Sequence, residues 1–234
     1  MLPEPFGPWL MIEVIAATRM REERFWSESP LGLSLKRLQH DARLKPHIVF
    51  ANARNLPDIF NARIASPDRS QALVFVHDDV WLDDYFLVDR VIEGLQAFDL
   101  IGVAGNRRRL PFQPAWFAVD IAGTWDDASN LSGAVAHGAR PFGPVTRYGD
   151  CPASCELLDG VFIAVRKAPL ADHGILFDPR FDFHFYDLDF CRSARECSLH
   201  LGTWPICLTH QSVGAFGSPI WWERYRSYID KWGS

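Results

Sequence analysis

The sequence predicts an α/β fold, Rossmann-like in its first half, with a mixed, mostly parallel central sheet flanked by helices. Two patterns and one bulk property carry this. Short apolar runs alternate with helix-like stretches, and the runs are continuously apolar rather than alternating with polar residues. The 234 residues are 48% hydrophobic and 13% aromatic, enough for a substantial core. Continuous apolar strands separated by helices mark a sheet covered on both faces.

In order, "MIEVIA" reads as the first strand, "FWSESPLGLSLKRLQ" as a helix, "HIVFA" as a strand and "LPDIFNARIAS" as a helix. "ALVFV" is the next strand, "DDYFLVDRVIEGLQ" a helix started by Asp83 or Asp84, and "DLIGVAG" a strand. Residues 106–150, rich in Gly, Pro and Arg, hold no sustained period and read as an irregular lid or loop. Order returns with "CELLDGVFIAVRK", a strand interrupted at Asp159 and Gly160, then a helix over "FHFYDLDFCRSAREC", with Leu188, Cys191 and Ala194 on its core face. "LHLGTWPICLTH" is a strand ending in His210, and "SPIWWERYRSYIDKW" is an aromatic terminal helix. That helix either packs back on the domain or touches a membrane surface through Trp221, Trp222 and Trp232. One domain is expected over 1–234, divided into 11–105, the lid 106–150, and 151–234.

A net charge of −5 and a pI near 5.9 argue against a broad basic face for nucleic acid. Arg107, Arg108 and Arg109 are either a solvated run or neutralise phosphate. The five cysteines contain no C-x-x-C pair, so neither a disulfide framework nor a four-sulfur zinc site is indicated, and a cytoplasmic protein is expected. The opening segment lacks a basic leader, and no apolar run reaches membrane-spanning length.

In parallel sheets the ligand crevice lies beyond the carboxyl ends of the strands. "ALVFV" delivers His77, Asp78 and Asp79 to such an end. They either cap the following helix or hold a hard divalent cation together with phosphate oxygens. His210 also follows a strand, as a packed histidine or as a ligand partnering Asp79. Asp187 and Asp189 sit near a helix N-terminus, where they either complement its dipole or supply a general base. Asp159-Gly160 is either a kink or a close approach to a sugar.

"NARNLPDIFNARI", "VFVHDDV", "LLDGVFIAVRK", "FHFYDLDFCRSAR" with "THQS", and the closing "DKW" together resemble a GT-A glycosyltransferase, close to family 2 and its bacterial glycosyltransferase-like branch. The resemblance spans about residues 11–232, with the lid as the poorest match. It implies a GT-A fold, a nucleotide-binding half over 11–105 and an acceptor half over 151–234. His77-Asp78-Asp79 stands at the family's Asp-x-Asp signature, with His77 in place of the first aspartate. The resemblance thus implies that Asp79 binds Mn²⁺ or Mg²⁺ while His77 and Asp78 lie by the nucleotide. Tyr186-Asp187-Leu188-Asp189 stands at the Glu-Asp-x-Asp segment, with Tyr186 in place of glutamate, which makes Asp187 the catalytic base and places Asp189 beside it at the donor. His210 falls at a further metal ligand, Asn61 near the nucleotide pocket, and Asp159 and Gly160 at the donor-sugar site. Implied partners are a nucleotide-diphosphate sugar and a glycan or lipid-linked acceptor, with peripheral membrane contact at the inner face.

Two rivals come from other classes. His77, Asp79 and His210, with Arg224 beyond them, fit the two-histidine, one-carboxylate pattern of an Fe(II)/2-oxoglutarate oxygenase, which requires a double-stranded β barrel. A non-catalytic sugar- or nucleotide-binding domain is the other, since a fold does not guarantee activity.

Overall fold

β1 (Ile12–Ala17) is buried along most of its length and lies between parallel neighbours β2 (Leu44–Val49) and β3 (Ala72–Val76). A computed structural model describes residues 11–68, 70–212 and 216–233 of the chain. Helices α1 (Glu22–Glu28), α2 (Pro30–Leu38) and α3 (Leu56–Ile64) fill the first connections. After β3 come β4 (Val80–Leu82), α4 (Leu87–Ala97), β5 (Leu100–Gly102), β6 (Ala104–Asn106), β7 (Leu131–His137), β8 (Val145–Gly149), β9 (Ala153–Cys155) and β10 (Leu157–Leu158). The chain continues through β11 (Phe162–Arg166), α5 (Lys167–His173), α6 (Tyr186–Glu196), β12 (Leu201–Thr203), β13 (Leu208–His210) and α7 (Pro219–Trp232).

Seven strands form one mixed sheet in the order β2-β1-β3-β11-β5-β12-β9, in which β11 runs antiparallel between β3 and β5. A six-stranded sheet, β10-β6-β7-β13-β4 with β8 on β7, forms beside it. The chain passes between the sheets at 77–79, over 83–99 through α4, at Val103, at 150–152, at Glu156, at 159–161 and at 204–207. "DLIGVAG" and "LHLGTWPICLTH", expected as single strands, are therefore each split: β5 and β12 lie in the large sheet, β6 and β13 in the small one. Apolar periodicity cannot register a change of sheet, because both sheets bury their strands.

The helix expected over "FWSESPLGLSLKRLQ" is also two helices. Ser29 is extended (ψ 135°) because the following Pro30 disfavours the helical region, and its Oγ takes over as the cap of α2, accepting from Gly32 N–H. Residues 106–150, expected to be irregular, supply β7 and β8; their glycines conceal the pattern, and Gly133 (φ 97°) packs against Val103 where a Cβ has no room. Between β6 and β7 the chain is irregular but pinned. Asp126 accepts from Arg108 (2.5 and 2.9 Å), Asn106 (3.0 Å) and Asn130 (3.0 Å), and the Arg108 guanidinium holds its carboxyl below the usual range. Arg108 is thus committed to a protein carboxylate.

One further expectation is corrected, and one pair of alternatives is decided. Asp83 does not start α4: its Oδ2 accepts from Thr209 Oγ1 (2.6 Å) and Phe142 N–H (3.0 Å), tying β13 and the 138–144 loop to the end of β4. Asp84 accepts the N–H of Phe86, the residue that precedes α4. The terminal helix packs inward, with Trp221 5% and Tyr228 2% exposed, and Arg192 lies 4.4 Å over the Trp232 ring. Trp221 is therefore unavailable to a membrane surface. No helix among the described residues is long and apolar enough to cross a membrane.

Asp189 ties α6 to this terminal helix. It is 0% exposed and accepts from Trp232 Nε1 (2.7 Å) beside Lys231 Nζ (2.7 Å), while burial pushes its carboxyl up. Lys231→Met leaves that carboxylate buried without its cation and is expected to destabilise the fold by about 3 kcal/mol in thermal or urea unfolding. Adding Asp189→Asn is expected to restore most of the loss.

Candidate active site

β3 ends in the crossing from the large sheet to the small one, and that crossing is His77-Asp78-Asp79. The tripeptide is fixed from three directions. Asp78 O accepts from Ser29 Oγ (2.6 Å) and Leu31 N–H (3.3 Å) at the start of α2. The antiparallel neighbour β11 brings Val161 O to His77 N–H (3.4 Å). On the other side β13 runs antiparallel to β4, so His210 pairs with Val80 and Gln211 N–H reaches Asp79 O (3.0 Å). Asp79 Oδ1 and His210 Nε2 lie 3.4 Å apart, and ligand atoms of His77, Asp79 and His210 fall within 4.8 Å of one another.

This cluster fits a divalent cation. Asp79 Oδ1 is buried without a hydrogen-bond partner, an arrangement that a cation would complete. Burial acts to raise the Asp79 carboxyl, but the His210 imidazole and the Ser212 hydroxyl beside it, with His77, outweigh burial and push it down to about 2. The carboxylate is therefore ionised at neutral pH.

The His77 ring is set by Tyr186. The tyrosine hydroxyl donates its single proton to Gly160 O (2.8 Å), so its 2.9 Å contact with His77 Nε2 requires the imidazole to donate there. Nδ1 is then the lone-pair nitrogen, and burial pushes the ring toward the neutral form despite the nearby Asp79 charge. A neutral imidazole oriented through its other nitrogen is the state that metal ligation needs. Tyr186→Phe is expected to destabilise by about 1–3 kcal/mol in thermal unfolding, since Gly160 O and His77 Nε2 both lose their partner. It is also expected to weaken Mn²⁺ binding about 10–100-fold by titration.

α6 opens beside the cluster. Phe185 precedes it in the left-handed region (φ 67°), held there by its ring packing against Trp221, Tyr225 and Tyr228. This turn points Tyr186 and Asp187 into the crevice. Asp187 Oδ2 accepts from Gly160 N–H and Oδ1 from Leu188 N–H, both at 2.9 Å. Burial, then the Asp159 carboxylate, push Asp187 up to about 7. A Cβ at Gly160 would lie 2.5 Å from the Tyr186 hydroxyl, so only glycine admits this approach. Asp159 accepts from Trp116 Nε1 (2.6 Å) and Val161 N–H (2.8 Å).

His77, Asp78, Asp79, Asp159, Gly160, Asp187 and His210 thus line one cavity of about 630 Å³. Two expected residues do not line it. Asn61 clamps Phe177 through both backbone groups (2.8 Å each), joining α3 to the segment before α6. Asp189 lies two residues beyond Asp187, about 200° around the helix, and faces Lys231. Arg224 pairs with Asp182 at 2.9 Å, and the fold is an open mixed sheet rather than a double-stranded barrel, which removes the oxygenase reading. Not assigned to the site from the sequence is its aromatic lining: Trp116, Phe117, Trp125, Tyr148, Phe216 and Trp221, with Phe183 stacked on His77. The signal available was the aromatic content of a Gly- and Pro-rich stretch.

No family model and no curated protein matches the sequence. Solved structures match in fold. GalNAc-T7 with UDP, GalNAc and Mn²⁺ aligns at a TM-score of 0.50 and 11% identity, over 94% of this chain and 50% of that one. S. aureus TarS aligns at 0.49 and 13% identity over 94% and 39%, and the Drosophila β1,4-galactosyltransferase 7 catalytic domain at 0.44 and 11% over 83% and 64%. The chain spans about half the length of the GalNAc-T7 structure. At such identities the likeness concerns the fold alone: the mixed sheet, its flanking helices and the crevice are those of the GT-A fold.

Proposed function

We propose that the chain is a metal-dependent glycosyltransferase, of the family 2 kind, that moves a sugar from a nucleotide-diphosphate donor to an acceptor hydroxyl with inversion. The observation that carries this is the meeting of two chemical tasks in one GT-A crevice. His77, Asp79 and His210 cluster on one side, and Asp187, a carboxyl pushed up to about 7, faces the same space. A base with a pKa near the working pH is suited to taking a proton from an alcohol. The neighbouring GalNAc-T7 structure contains UDP, GalNAc and Mn²⁺, which is consistent with a nucleotide sugar and a cation in such a crevice.

Asp79, His210 and His77 would hold Mn²⁺ or Mg²⁺, which when bound supplies Lewis-acid stabilisation to the leaving diphosphate. The acceptor oxygen bonds to the anomeric carbon as the bond to the diphosphate oxygen breaks and its electron pair leaves with the diphosphate. The hydroxyl proton passes to Asp187. The Gly160 and Leu188 N–H groups keep Asp187 in place, and the apolar lining of Ala17, Leu56 and Phe60 shapes the nucleotide side. The reading places the enzyme in glycan or cell-surface polysaccharide synthesis on the cytoplasmic side.

Thermal shift with UDP-, GDP-, dTDP- and CMP-sugars, with and without Mn²⁺, tests this. One nucleotide class is expected to raise Tm only when metal is present, by about 5–10 °C at 100-fold excess over Kd. A flat response to all of them with Mn²⁺ present would exclude the reading.

A further inference from the structure

Beside the acidic cluster, part of the cavity lining is aromatic and uncharged. Tyr148 and Trp125 stack (5.6 Å, 19°), and Trp125 meets Phe117 (4.5 Å), Phe117 meets Phe216 (5.9 Å), and Phe216 meets Trp221 (4.4 Å). The five rings form a continuous strip along the cavity from β8 to α7. Buried Trp116 backs it edge-on, 6.1 Å from Trp125 and 5.0 Å from Tyr148, which stiffens the end nearest Asp159. Yet Trp125 is 52% and Phe216 41% exposed. Large rings held rigidly and left open to solvent mark a surface built for a ligand.

We propose that this strip is the acceptor subsite and that it takes a neutral oligosaccharide chain, its pyranose rings lying on the aromatic faces. Three observations favour this occupant. The negative face of an aromatic ring attracts the polarised C–H groups of a pyranose. Among the described residues lining the cavity there is no lysine or arginine, while Asp78, Asp79, Asp159 and Asp187 are present, so away from the cation cluster a phosphorylated or acidic acceptor would meet no cationic side chain. The strip also leads to the base: Trp116 Nε1 donates to Asp159, whose neighbour Gly160 donates to Asp187. A nucleobase fits the strip less well, because the crevice end of the large sheet is lined separately by Ala17 of β1 and Leu56 and Phe60 of α3.

The inference rests on the glycosyltransferase reading for its name as acceptor site, but its test does not. The full chain with Mn²⁺ is titrated with maltotetraose, cellotetraose and chitotetraose and their monosaccharides, followed by tryptophan fluorescence and saturation-transfer NMR. At least one tetrasaccharide is expected to bind at least 10-fold tighter than its monosaccharide. Trp125→Ala is expected to weaken that binding at least 10-fold and Trp125→Phe less than 3-fold, with the metal-dependent Tm shift by nucleotide sugar unchanged in both. The inference is overturned if no oligosaccharide binds, if Trp125→Ala leaves the affinity intact, or if it abolishes the nucleotide shift, which would make the strip a base platform. Binding of inorganic phosphate or phosphatidylglycerol vesicles through Trp125 would also overturn it. Trp125-dependent oligosaccharide binding without any nucleotide shift would uphold the strip and sink the transferase reading.

Discussion

Asp187→Asn is expected to lower the transfer rate about 10²–10⁴-fold while leaving metal-dependent donor binding in place. The amide keeps the shape and can still accept one backbone N–H, but it cannot take a proton. In the unaltered protein, transfer is expected to rise with pH through about 7, as the carboxyl that burial and Asp159 push up becomes ionised. The same shift has a consequence for stability. The folded-state value is near 7 and the ordinary value is 3.8, so below about pH 4 both states are protonated and nothing is lost. Between the two values the unfolded chain ionises first, and stability falls as pH rises, by up to about 4 kcal/mol above pH 7. Asp187→Asn removes that penalty but leaves Gly160 N–H or Leu188 N–H facing an amide nitrogen, at about 1–3 kcal/mol. The variant is therefore expected to melt above the parent at pH 8.5 and below it at pH 4.5. A variant that lost activity and also melted lower at pH 8.5 would point to a structural carboxylate instead of a base.

What the sequence disclosed and what it hid follow from one property of the chain. β3 is a continuous apolar run and β1 is one but for Glu13, while β2 keeps apolar residues mainly at Leu44, Ile48 and Val49; the tip of β3 was visible as His77-Asp78-Asp79 because charge follows apolar residues abruptly there. The crossings between sheets were not visible. Val103 and the 204–207 segment do not interrupt the apolar pattern enough to show that β6 and β13 belong to a second sheet. Once β13 is placed beside β4, the approach of His210 to Asp79 follows from register. Asp187 and Asp189 were expected together at the donor, although two residues of helix turn them about 200° apart; which one faces the crevice depends on α7, whose Lys231 and Trp232 take Asp189. The two departures from the glycosyltransferase pattern, His77 for aspartate and Tyr186 for glutamate, prove to be hydrogen-bonded to each other. One explains the other: an imidazole at the strand tip needs a donor-acceptor to set its tautomer, and a tyrosine provides it where a second carboxylate would favour protonation of the ring.

Asp79→Ala is expected to raise the Mn²⁺ Kd at least 100-fold, a loss of about 3 kcal/mol, and to abolish the Tm shift given by nucleotide sugar with metal. Asp79 is the one carboxylate in the ligand cluster found among the described residues, so its removal leaves a divalent cation facing two imidazoles with no anionic ligand. His210→Ala, which keeps the carboxylate, is expected to lose less, about 10–100-fold. Asp78 serves as a control: it lines the cavity but stands outside the ligand cluster, and its fixed contact with Ser29 is through the backbone. Asp78→Asn is therefore expected to hold metal affinity within about 3-fold, given the 1.4 kcal/mol per tenfold scale. The measurement, free Mn²⁺ by electron paramagnetic resonance, should be made at pH 7 and pH 8.5. Asp79 works to raise the His77 value against burial, so deleting it drives His77 further toward the neutral form that ligates. Protonation of His77 cannot then account for lost binding, and the loss is expected to be the same at both pH values. Recovery of Mn²⁺ binding by Asp79→Ala at pH 8.5 would mean that the aspartate acts by tuning the histidines, and that the metal rests on His77 and His210 without it.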